Sequence, residues 1–593
     1  MLGNGVNMIK IIKRLEAREY SILLAVGILI FGQAYFELLI PDFMSEVTRL
    51  VQTPGSNINE ILINGIYMLS AAFAALALAV ISGYLIAKFS SKVANNLRYL
   101  LFNKIQNLSQ EDIDKFTPAS LITRTTNDIT QVEMFMGFGI NVFFRSPILA
   151  IWALTKISGK GIEWTLATAV AVAVVIISVI LLTVFVMPKY EKVQKNIDSL
   201  NEVTRENITG IRVVRAFNAE KYQQKKTKKV NDELTRLLKF TQKSFAITQP
   251  LMMFVMNILT LAIYLIGSQM ISVRTLPDKI TVFGDMIVFS AYAIQILMAF
   301  LMMAIILVVY TRSAISLRRI NEVLDSEISV IEGAVDADYK TQNIEFNNVS
   351  FKYPDAQEYV LKDISFSADK GDTVAIIGQT GSGKSTIAKL ITRFYEVTDG
   401  EILIDGVDIR EFTEKSLNNK LGYVPQRAVL FNMSVEDNIK FGESHYQKTF
   451  DDVKNAIEVA QAKDFVEEMD DKYNNMISRG GTNVSGGQKQ RLSIARAIAR
   501  KPEIFIFDDT FSALDFKTES TLRKALEENT KNAITILISS RVGSILNADK
   551  IILLDDGKVV AKGTHKELWE TSNLYREIAL SQLSEEELNA KTR

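Results

Sequence analysis

The sequence has 593 residues, no formal net charge and a mean hydropathy of +0.14, although 23% of its residues are charged. A chain of this length favours two or more domains, and its neutrality gives no global electrostatic basis for binding nucleic acid. Cysteine is absent and only two histidines occur, which excludes disulfides, thiolate metal sites and a histidine-rich zinc site.

Six apolar segments in the first half of the chain are long enough to cross a membrane as helices. Residues 164–187 carry no charge, and a helix of that length spans roughly 36 Å, more than the hydrocarbon core of about 30 Å. The other five segments cover residues 19–41, 61–87, 132–155, 244–273 and 286–311. This pattern predicts an all-α transmembrane domain of six helices in a lipid bilayer.

Lysine and arginine are concentrated in two connections, 88–124 and 188–243, and are sparse in the connections that alternate with them. Positive charge marks the cytosolic side, so the sequence predicts a multi-pass protein of the cell membrane with both termini in the cytosol. No small-residue cleavage site follows the basic N-terminus, so it is not interpreted as a cleaved signal peptide. Met8 stays open as an alternative start.

Two charged residues, Glu37 and Arg145, lie inside predicted spans. Ionisable groups within a membrane are candidates for a substrate path. The simpler alternative is that Arg145 lies at the inner end of its helix, paired with another charge or hydrated, and that Glu37 lies near the outer end of its own helix. The sequence favours this second interpretation.

After residue 311 the sequence changes from apolar to the alternating patterns of an α/β domain. NIEFNNVSFKY alternates as a strand does, TVAIIG has the composition of a buried strand, and KSTIAKLITRF has a helical pattern. The predicted organisation is a transmembrane domain over 1–320, a linker over 321–340, an α/β P-loop nucleotide-binding domain over 341–582 and a polar tail over 583–593.

The stretch GQTGSGKST matches the phosphate-binding pattern G-x-x-x-x-G-K-[ST] and lies between a predicted strand and a predicted helix. Glycines let backbone N–H groups turn towards phosphates, and the helix that follows offers its positive N-terminal end. Lys384 is expected to reach the β- and γ-phosphates. The predicted ATP-binding residues of this loop are Gly378, Gln379, Thr380, Gly381, Ser382, Gly383, Lys384, Ser385 and Thr386.

Further residues complete the predicted site for ATP and Mg²⁺. Asp508 ends the apolar run FIFD and is a candidate metal ligand together with the hydroxyl of Ser385. Gln426 ends GYVPQ, where it could reach the metal or the attacking water. Tyr353, in FKYP, is a candidate for stacking on adenine, and an ordinary aromatic residue of a strand is the alternative.

A second candidate anion site occurs in NVSGGQKQR, where a serine and two glycines begin a helical run. Its residues are Ser485, Gly486, Gly487 and Gln488. Because this helix start lies about 100 residues after the lysine-bearing loop and in another subregion, the sequence predicts a dimer. Each subunit's second site would then close over the γ-phosphate held by its partner.

Together these motifs resemble those of an ATP-binding cassette (ABC) exporter of the bacterial half-transporter type, over nearly the whole chain. GQTGSGKST resembles the Walker A motif, FIFD Walker B, VSGGQ the family signature, and SALD the D-loop with Asp515. Gln426 resembles the Q-loop glutamine and Tyr353 the A-loop tyrosine. LITRTTNDITQV and RENITGIRVVRAFNAEKY resemble the stretches around the two coupling helices, expected near 114–124 and 207–217.

The resemblance implies that two chains sandwich two ATP molecules, each between one chain's Walker A motif and the other chain's signature. Closure of this sandwich turns the transmembrane cavity from inward-facing to outward-facing, and hydrolysis resets it.

The chain departs from the family pattern at two positions of its own ATP site. Asp509 stands where a catalytic glutamate is usual, and Ser540, in SSR, where the switch histidine is usual. One methylene fewer withdraws the carboxylate by roughly 1 to 1.5 Å, and a misplacement of 1 Å can lower a rate about 100-fold. The resemblance then implies a degenerate site that binds ATP and hydrolyses it slowly, in a heterodimer with a different half-transporter that has the glutamate and the histidine. The alternative is that aspartate suffices and serine is a tolerated variant.

Methionines are frequent in the last two predicted spans, and flexible thioethers suit promiscuous apolar binding. The candidate substrate-cavity residues are Met252, Met256, Met298 and Met302. Filling between helices or contact with lipid explains them equally well. The favoured function is export of amphipathic drug- or lipid-like molecules. Import of a metal chelate, homodimeric export of lipids or peptides, and a non-transporting ATP-dependent regulator are the alternatives.

Overall fold

The computed structural model describes residues 17–53, 55–157, 161–272, 276–336, 340–354 and 356–584. Met8, Val273 at the end of one predicted span, and most of the predicted polar tail lie outside these residues. The backbone forms two compact units. The first contains the described residues up to Gln106 and Ala119–Ser326, and the second contains Asn107–Pro118 and the described residues from Glu327 onward.

The first unit consists of long helices with short connections. In chain order the first eight helices of the described residues are α1 (Ala17–Gln52), α2 (Ile58–Gln106), α3 (Gln110–Phe116), α4 (Pro118–Ile157), α5 (Ile162–Thr209), α6 (Ile211–Ala216), α7 (Glu220–Ser272) and α8 (Leu276–Leu324). Two π-helical turns, Arg124–Asp128 and Phe135–Gly139, interrupt α4. Six of these helices contain a stretch long and apolar enough to cross a membrane, which confirms the prediction of six spans.

Two buried aromatic side chains join helices of the first unit by hydrogen bonds. Trp164 on α5 is 1% exposed, and its indole N–H donates to the carbonyl of Ile263 on α7 at 3.1 Å. Tyr292 on α8 is fully buried, and its single hydroxyl proton faces two acceptors on α1, the carbonyl of Leu38 (2.8 Å) and the carboxylate of Asp42 (2.7 Å). An unpaired polar group is costly in an apolar interior, so these bonds fix which helix faces meet.

The second unit contains two β-sheets. Its strands are β1 (Asn343–Phe351), β2 (Leu361–Asp369), β3 (Thr373–Gly378), β4 (Asp399–Ile404), β5 (Val407–Asp408), β6 (Leu421–Val424), β7 (Ile504–Asp508), β8 (Ile534–Ile538), β9 (Lys550–Asp555) and β10 (Lys558–Gly563). One sheet is antiparallel, in the order β2-β1-β4-β5. The other has the order β10-β9-β3-β8-β7-β6, and its pairings are parallel except that of β9 with β10.

Helices surround the second sheet, which explains why its central strands are continuous apolar runs. These helices are α9 (Lys384–Ile391), α10 (Glu414–Lys420), α11 (Val435–Lys440), α12 (Phe450–Val459), α13 (Lys463–Glu467), α14 (Gly486–Ala499), α15 (Phe516–Thr530), α16 (His565–Thr571) and α17 (Asn573–Leu580). Short 3₁₀ turns lie at Ile409–Glu411, Lys472–Asn474, Arg479–Gly481, Thr510–Ala513 and Val542–Ser544. The arrangement confirms the predicted fold class. Parallel strands that end at one edge bring their following loops together, which is where ligands bind in such sheets.

The short helix α3 packs within the second unit, although the sequence-based bounds put it inside residues 1–320. Ser109 caps it in a reciprocal capping box with Asp112. The Asp112 carboxylate also accepts from the backbone and the hydroxyl of Ser329, and Asp114 accepts from Tyr395 at 2.5 Å. These polar contacts explain why the segment belongs to the second unit.

Candidate functional site

The loop between β3 and α9 follows a path that only glycine allows at several positions. Gly381 and Gly383 have φ values of +90° and +96°, in the left-handed region. A Cβ placed on Gly378 would lie 2.2 Å from the carbonyl oxygen of Leu554, and one on Gly383 would lie 2.6 Å from Leu361. The glycines of the predicted phosphate loop are therefore required by its backbone and by its close packing.

Lys384, the first residue of α9, folds back over this loop. Its ammonium donates to the carbonyls of Gly378 at 2.8 Å and Gln379 at 2.7 Å. Burial lowers the pKa of Lys384, and the negative charges of Asp509 and Asp508 oppose that shift. The two carbonyls hold the cation beside the loop, where an anionic phosphate would compete for it.

Asp508 and Ser385 meet at the end of β7. The Asp508 carboxylate is 4% exposed and accepts from the Ser385 hydroxyl at 2.7 Å, and burial raises its pKa. A carboxylate and a hydroxyl are the hard oxygen ligands that Mg²⁺ prefers, and Mg²⁺ takes its remaining ligands from water and substrate phosphates. Among the described residues no group of three or more histidine, cysteine or acidic side chains could hold a metal ion. The chemistry of the carboxylate and the hydroxyl fits Mg²⁺ that takes its other ligands from water and a nucleotide.

Asp509 lies in contact with the other two residues of the predicted catalytic set. It adopts a left-handed conformation with φ of +45°. The Gln426 side-chain amide donates to Oδ2 of Asp509 at 3.2 Å. The hydroxyl and the backbone N–H of Ser540 lie 3.1 and 3.4 Å from Oδ1 of the same carboxylate. The two positions that depart from the family pattern therefore touch each other, and both carboxylate oxygens of Asp509 have protein donors.

Tyr353 packs against α9, beside the phosphate loop. Its hydroxyl lies 3.2 Å from that of Thr386, and the Lys389 ammonium lies 5.5 Å from its ring centroid. The ring of Tyr395 meets it edge-on at 5.3 Å. The predicted adenine-stacking residue thus lies at the nucleotide loop, in an aromatic pair with Tyr395.

The signature residues begin α14. Ser485 is its N-cap and forms a reciprocal capping box with Gln488. A Cβ placed on Gly486 would meet nothing within 4 Å, and one on Gly487 would make ordinary contact with Ala513 and Leu514. Packing within the chain does not require these glycines, so the space at this helix start is open to a group from outside the chain.

Asp515 caps the next helix of the site region. Its carboxylate accepts from the backbone N–H of Thr518 at 2.9 Å at the start of α15. Backbone hydrogen bonds lower the pKa of Asp515, which keeps the cap ionised. The predicted D-loop residue therefore has a structural role in its own chain.

The four methionines of the predicted substrate cavity do not share one environment. Met252 is 7% exposed and belongs to the apolar core of the first unit, whereas Met298 is 40% exposed. Met256 and Met302 are half-buried.

Comparison with known proteins places this geometry in a family. The chain matches the family described as "ABC transporter transmembrane region" over residues 21–315 and the one described as "ABC transporter" over residues 361–512. The second match contains the phosphate loop, Gln426, the signature and Asp508.

Several bacterial proteins are similar to the chain over most or nearly all of its length. The "Uncharacterized ABC transporter ATP-binding protein YfiB" of Bacillus subtilis is 33% identical over 96% of this chain and 98% of its own length. The "Multidrug resistance ABC transporter ATP-binding and permease protein" of Lactococcus lactis is 29% identical, with 98% and 96% covered. The "ATP-dependent lipid A-core flippase" of Pseudomonas syringae is 31% identical, with 85% and 83% covered.

A solved structure has the same fold. The "Structure of a bacterial Atm1-family ABC exporter with ATP bound" superimposes with a TM-score of 0.80 and covers 96% of this chain and 100% of its own, at 23% identity. The family matches and the Bacillus subtilis relative show that the chain belongs to the ABC transporter family and carries its transmembrane region and its ATP-binding domain in one polypeptide, with the fold of an exporter-type half-transporter.

Proposed function

We propose that the chain exports amphipathic small molecules, drug- or lipid-like, across the bacterial cell membrane by ATP-driven alternating access. We further propose that it is the subunit with the degenerate Walker site of a heterodimer, with both termini in the cytosol. Relatives named as a multidrug resistance transporter and as a lipid A-core flippase support the substrate class. The geometry around Asp509 supports the role within the dimer.

The observation that carries the proposal is the hydrogen bonding of Asp509. A general base must come within hydrogen-bond reach of the water that it deprotonates. Here the shorter carboxylate is turned towards the Gln426 amide and the Ser540 hydroxyl, which occupy one oxygen each. No imidazole is present at position 540 to stabilise charge on the γ-phosphate. The site retains the residues that would bind ATP and lacks the glutamate and the histidine that would support rapid hydrolysis.

Binding of ATP is assigned to residues that retain the family pattern. Lys384 and the loop amides would hold the phosphates, and Tyr353 would stack on the adenine. Bound Mg²⁺ would neutralise charge on the β- and γ-phosphate oxygens. Ser385 and Asp508 would ligate this ion, and Gln426 would be close enough to reach it.

The signature of this chain would serve the competent site of the partner. Ser485 to Gln488 present an open helix N-terminus, which suits the γ-phosphate of a nucleotide held by another subunit. The partner would be a different half-transporter with glutamate and histidine at the positions of Asp509 and Ser540. Closure of the dimer over ATP would then drive the change of access.

The exposed Met298 and the half-buried Met256 and Met302 are assigned to the substrate cavity, and Met252 would support them from the core. A flexible thioether surface suits substrates that share apolarity and not shape.

The test is restoration of the family residues in the mixed dimer. The chain is co-purified with the candidate partner, and ATP turnover is measured with and without Asp509→Glu combined with Ser540→His. Turnover should rise about 2-fold, because the second site then contributes as much as the first, while ATP affinity stays the same. A matched control changes the same residue types at exposed positions, Asp451→Glu with Ser581→His. Unchanged turnover with ATP binding intact, or rapid hydrolysis by the chain paired only with itself, contradicts the proposal.

A further inference from the structure

The last described segment of the chain contacts the loop that carries Ser540. This loop, residues 539–542, follows β8 and is named here the switch loop. The side-chain amide of Gln582 donates to the carbonyl of Ser540 at 2.9 Å and accepts from the backbone N–H of Val542 at 2.8 Å. One side chain therefore binds the backbone on both sides of Arg541.

Gln582 is itself held firmly, because the helix before it is anchored in the core. Tyr575 and Ala579 on α17 are fully buried, and the Tyr575 hydroxyl lies 2.8 Å from a ring nitrogen of His565 on α16. The backbone N–H groups of Gln582 and Leu583 both donate to the carbonyl of Ala579, which continues the turn of the helix to the amide.

The chemistry of the two contacts selects glutamine. The partner at Val542 is a donor and the partner at Ser540 is an acceptor, and an amide offers one acceptor and one donor at the required separation. A carboxylate would place an oxygen against the Ser540 carbonyl, and an ammonium would place a donor against the Val542 N–H.

The switch loop has further backbone bonds, since the Ser539 N–H donates to the carbonyl of Ile376 at 3.1 Å and the Arg541 N–H to the Ser539 hydroxyl at 3.0 Å, but it is the Gln582 amide that binds the Ser540 carbonyl and the Val542 N–H. The Arg541 side chain donates to the carbonyl of Ser512 at 2.8 Å and pairs with Glu519, but these contacts hold the guanidinium and not the loop backbone. The contacts with Gln582 and with Asp509 both involve Ser540, since its backbone carbonyl accepts from Gln582 and its hydroxyl donates to Asp509.

We propose that Gln582 is a positioning residue of the nucleotide site, which fixes the switch loop so that the side chain at position 540 faces Asp509. The turn that follows α17 is thereby part of the ATP site, although it lies outside every nucleotide-binding motif of the chain. This inference deepens the proposed function, because it concerns the loop at which the chain departs from its family.

The direct test is hydrogen–deuterium exchange of the full-length protein with Mg-ATP, followed over peptides that cover 534–545 and 573–580. Gln582→Ala should accelerate exchange of the Val542 amide by about 10-fold, the effect of a lost hydrogen bond, and leave the α17 peptides unchanged. Gln582→Glu retains the acceptor for Val542, so it should protect that amide better than alanine. Ser581→Ala, a neighbouring side chain without a contact to the switch loop, should change nothing. Unaltered exchange at Val542, or equal acceleration throughout α17, overturns the proposal.

A kinetic test separates positioning from general stability. In the mixed dimer that carries Asp509→Glu and Ser540→His, adding Gln582→Ala should remove most of the gained turnover, about a 10-fold loss at that site, with the KM for ATP changed less than about 2-fold. An unchanged gain overturns the role of Gln582. If the double substitution gives no gain, the proposed degenerate site fails, and the exchange measurement still decides whether Gln582 holds the switch loop.

Discussion

One guanidinium nitrogen of Arg145 lies 2.6 and 2.9 Å from the two carboxylate oxygens of Glu37, so that an ion pair joins α4 to α1 within the first unit. Both residues occur in apolar helices, and the sequence favoured paired or hydrated charges, with Arg145 at the inner end of its helix and Glu37 near the outer end, over a substrate path. The structure shows them paired with each other, so both lie at one depth and the prediction of opposite ends is wrong. Their side chains are 36% and 29% exposed, so neither charged group is fully buried in the protein.

Removing one member of this pair should destabilise the protein more than removing both. Arg145→Met leaves the Glu37 carboxylate uncompensated in an apolar environment, and Glu37→Gln leaves the Arg145 guanidinium in the same situation. Breaking a buried pair costs about 3–5 kcal/mol, and the partial exposure here reduces the expected cost to about 1–3 kcal/mol. Thermal unfolding of the purified protein and its monodisperse yield measure the effect.

The double variant Glu37→Gln with Arg145→Met should recover most of that loss. Arg98 and Glu133 form a more exposed pair at 3.1 Å and provide the matched control, because Arg98→Met should cost less than about 1 kcal/mol. A double variant less stable than either single one would show that the pair does more than neutralise charge.

Tyr395 connects the aromatic pair at the nucleotide loop to α3, and Tyr395→Phe should loosen that helix. Tyr395 is 5% exposed; burial, together with its bond to Asp114, raises its pKa, so the phenol remains a donor. Phenylalanine retains the ring contact with Tyr353 and removes only the bond to Asp114. Hydrogen bonds to a charged group contribute about 1.5–3 kcal/mol, so exchange over 110–116 should accelerate about 10-fold or more, with ATP affinity within about 2-fold of the wild type.

Asp114→Asn, which retains an acceptor oxygen, should have a smaller effect on the same peptide. Equal exchange of α3 in wild type and Tyr395→Phe would mean that other contacts, such as those of Asp112 with Ser329, suffice to hold the helix.

The sequence predicted those parts of the site that local patterns encode. Glycine spacing predicted the phosphate loop, whose backbone requires its glycines, and apolar runs of sufficient length predicted the six spans, because both patterns depend on neighbouring residues. The contact of Asp509 with Gln426 and Ser540 joins positions 83 and 31 residues apart. Topology could have indicated it, since these residues follow β6, β7 and β8, which are neighbours in one parallel sheet.

No sequence signal indicated the contacts of Tyr395 with Asp114 or of Gln582 with the switch loop. The first joins residues 281 positions apart and the second joins residues about 40 apart. Each depends on how separate elements pack in three dimensions, and a single tyrosine or glutamine in a helical pattern gives no indication of its partner.

Lys448 should make the stability of the protein depend on pH above 8. Its ammonium donates to three carbonyls at the end of α11, those of Lys440, Phe441 and Gly442. Burial, and then the charges of Arg500 and Arg496, lower its pKa to about 8. An unfolded lysine titrates near about 10.4. Between these values the unfolded chain binds more protons than the folded one, so this residue's contribution to stability rises with pH, by up to about 1.4 kcal/mol per pH unit.

Comparison of the wild type with Lys448→Met isolates this contribution, because other titrating groups affect both proteins alike. The difference in unfolding free energy should grow in favour of the wild type from pH 8 to 10, and stay constant below pH 8. Lys454, an exposed lysine on α12, provides the matched control for replacing a lysine by methionine. Parallel profiles for Lys448→Met would place the pKa of Lys448 near its ordinary value.

The two ATP sites of the proposed heterodimer should respond unequally to changes in this chain. Ser485→Asn keeps a residue that caps α14 well but alters the group offered to the nucleotide of the partner, so turnover of the mixed dimer should fall by about 10-fold or more. Lys384→Met weakens binding at the chain's own slow site, which contributes little to turnover, so the loss should be less than about 3-fold. Steady-state ATPase assays of the purified mixed dimer measure both. If Lys384→Met abolishes turnover as completely as Ser485→Asn, the two sites do not respond unequally and this prediction is wrong.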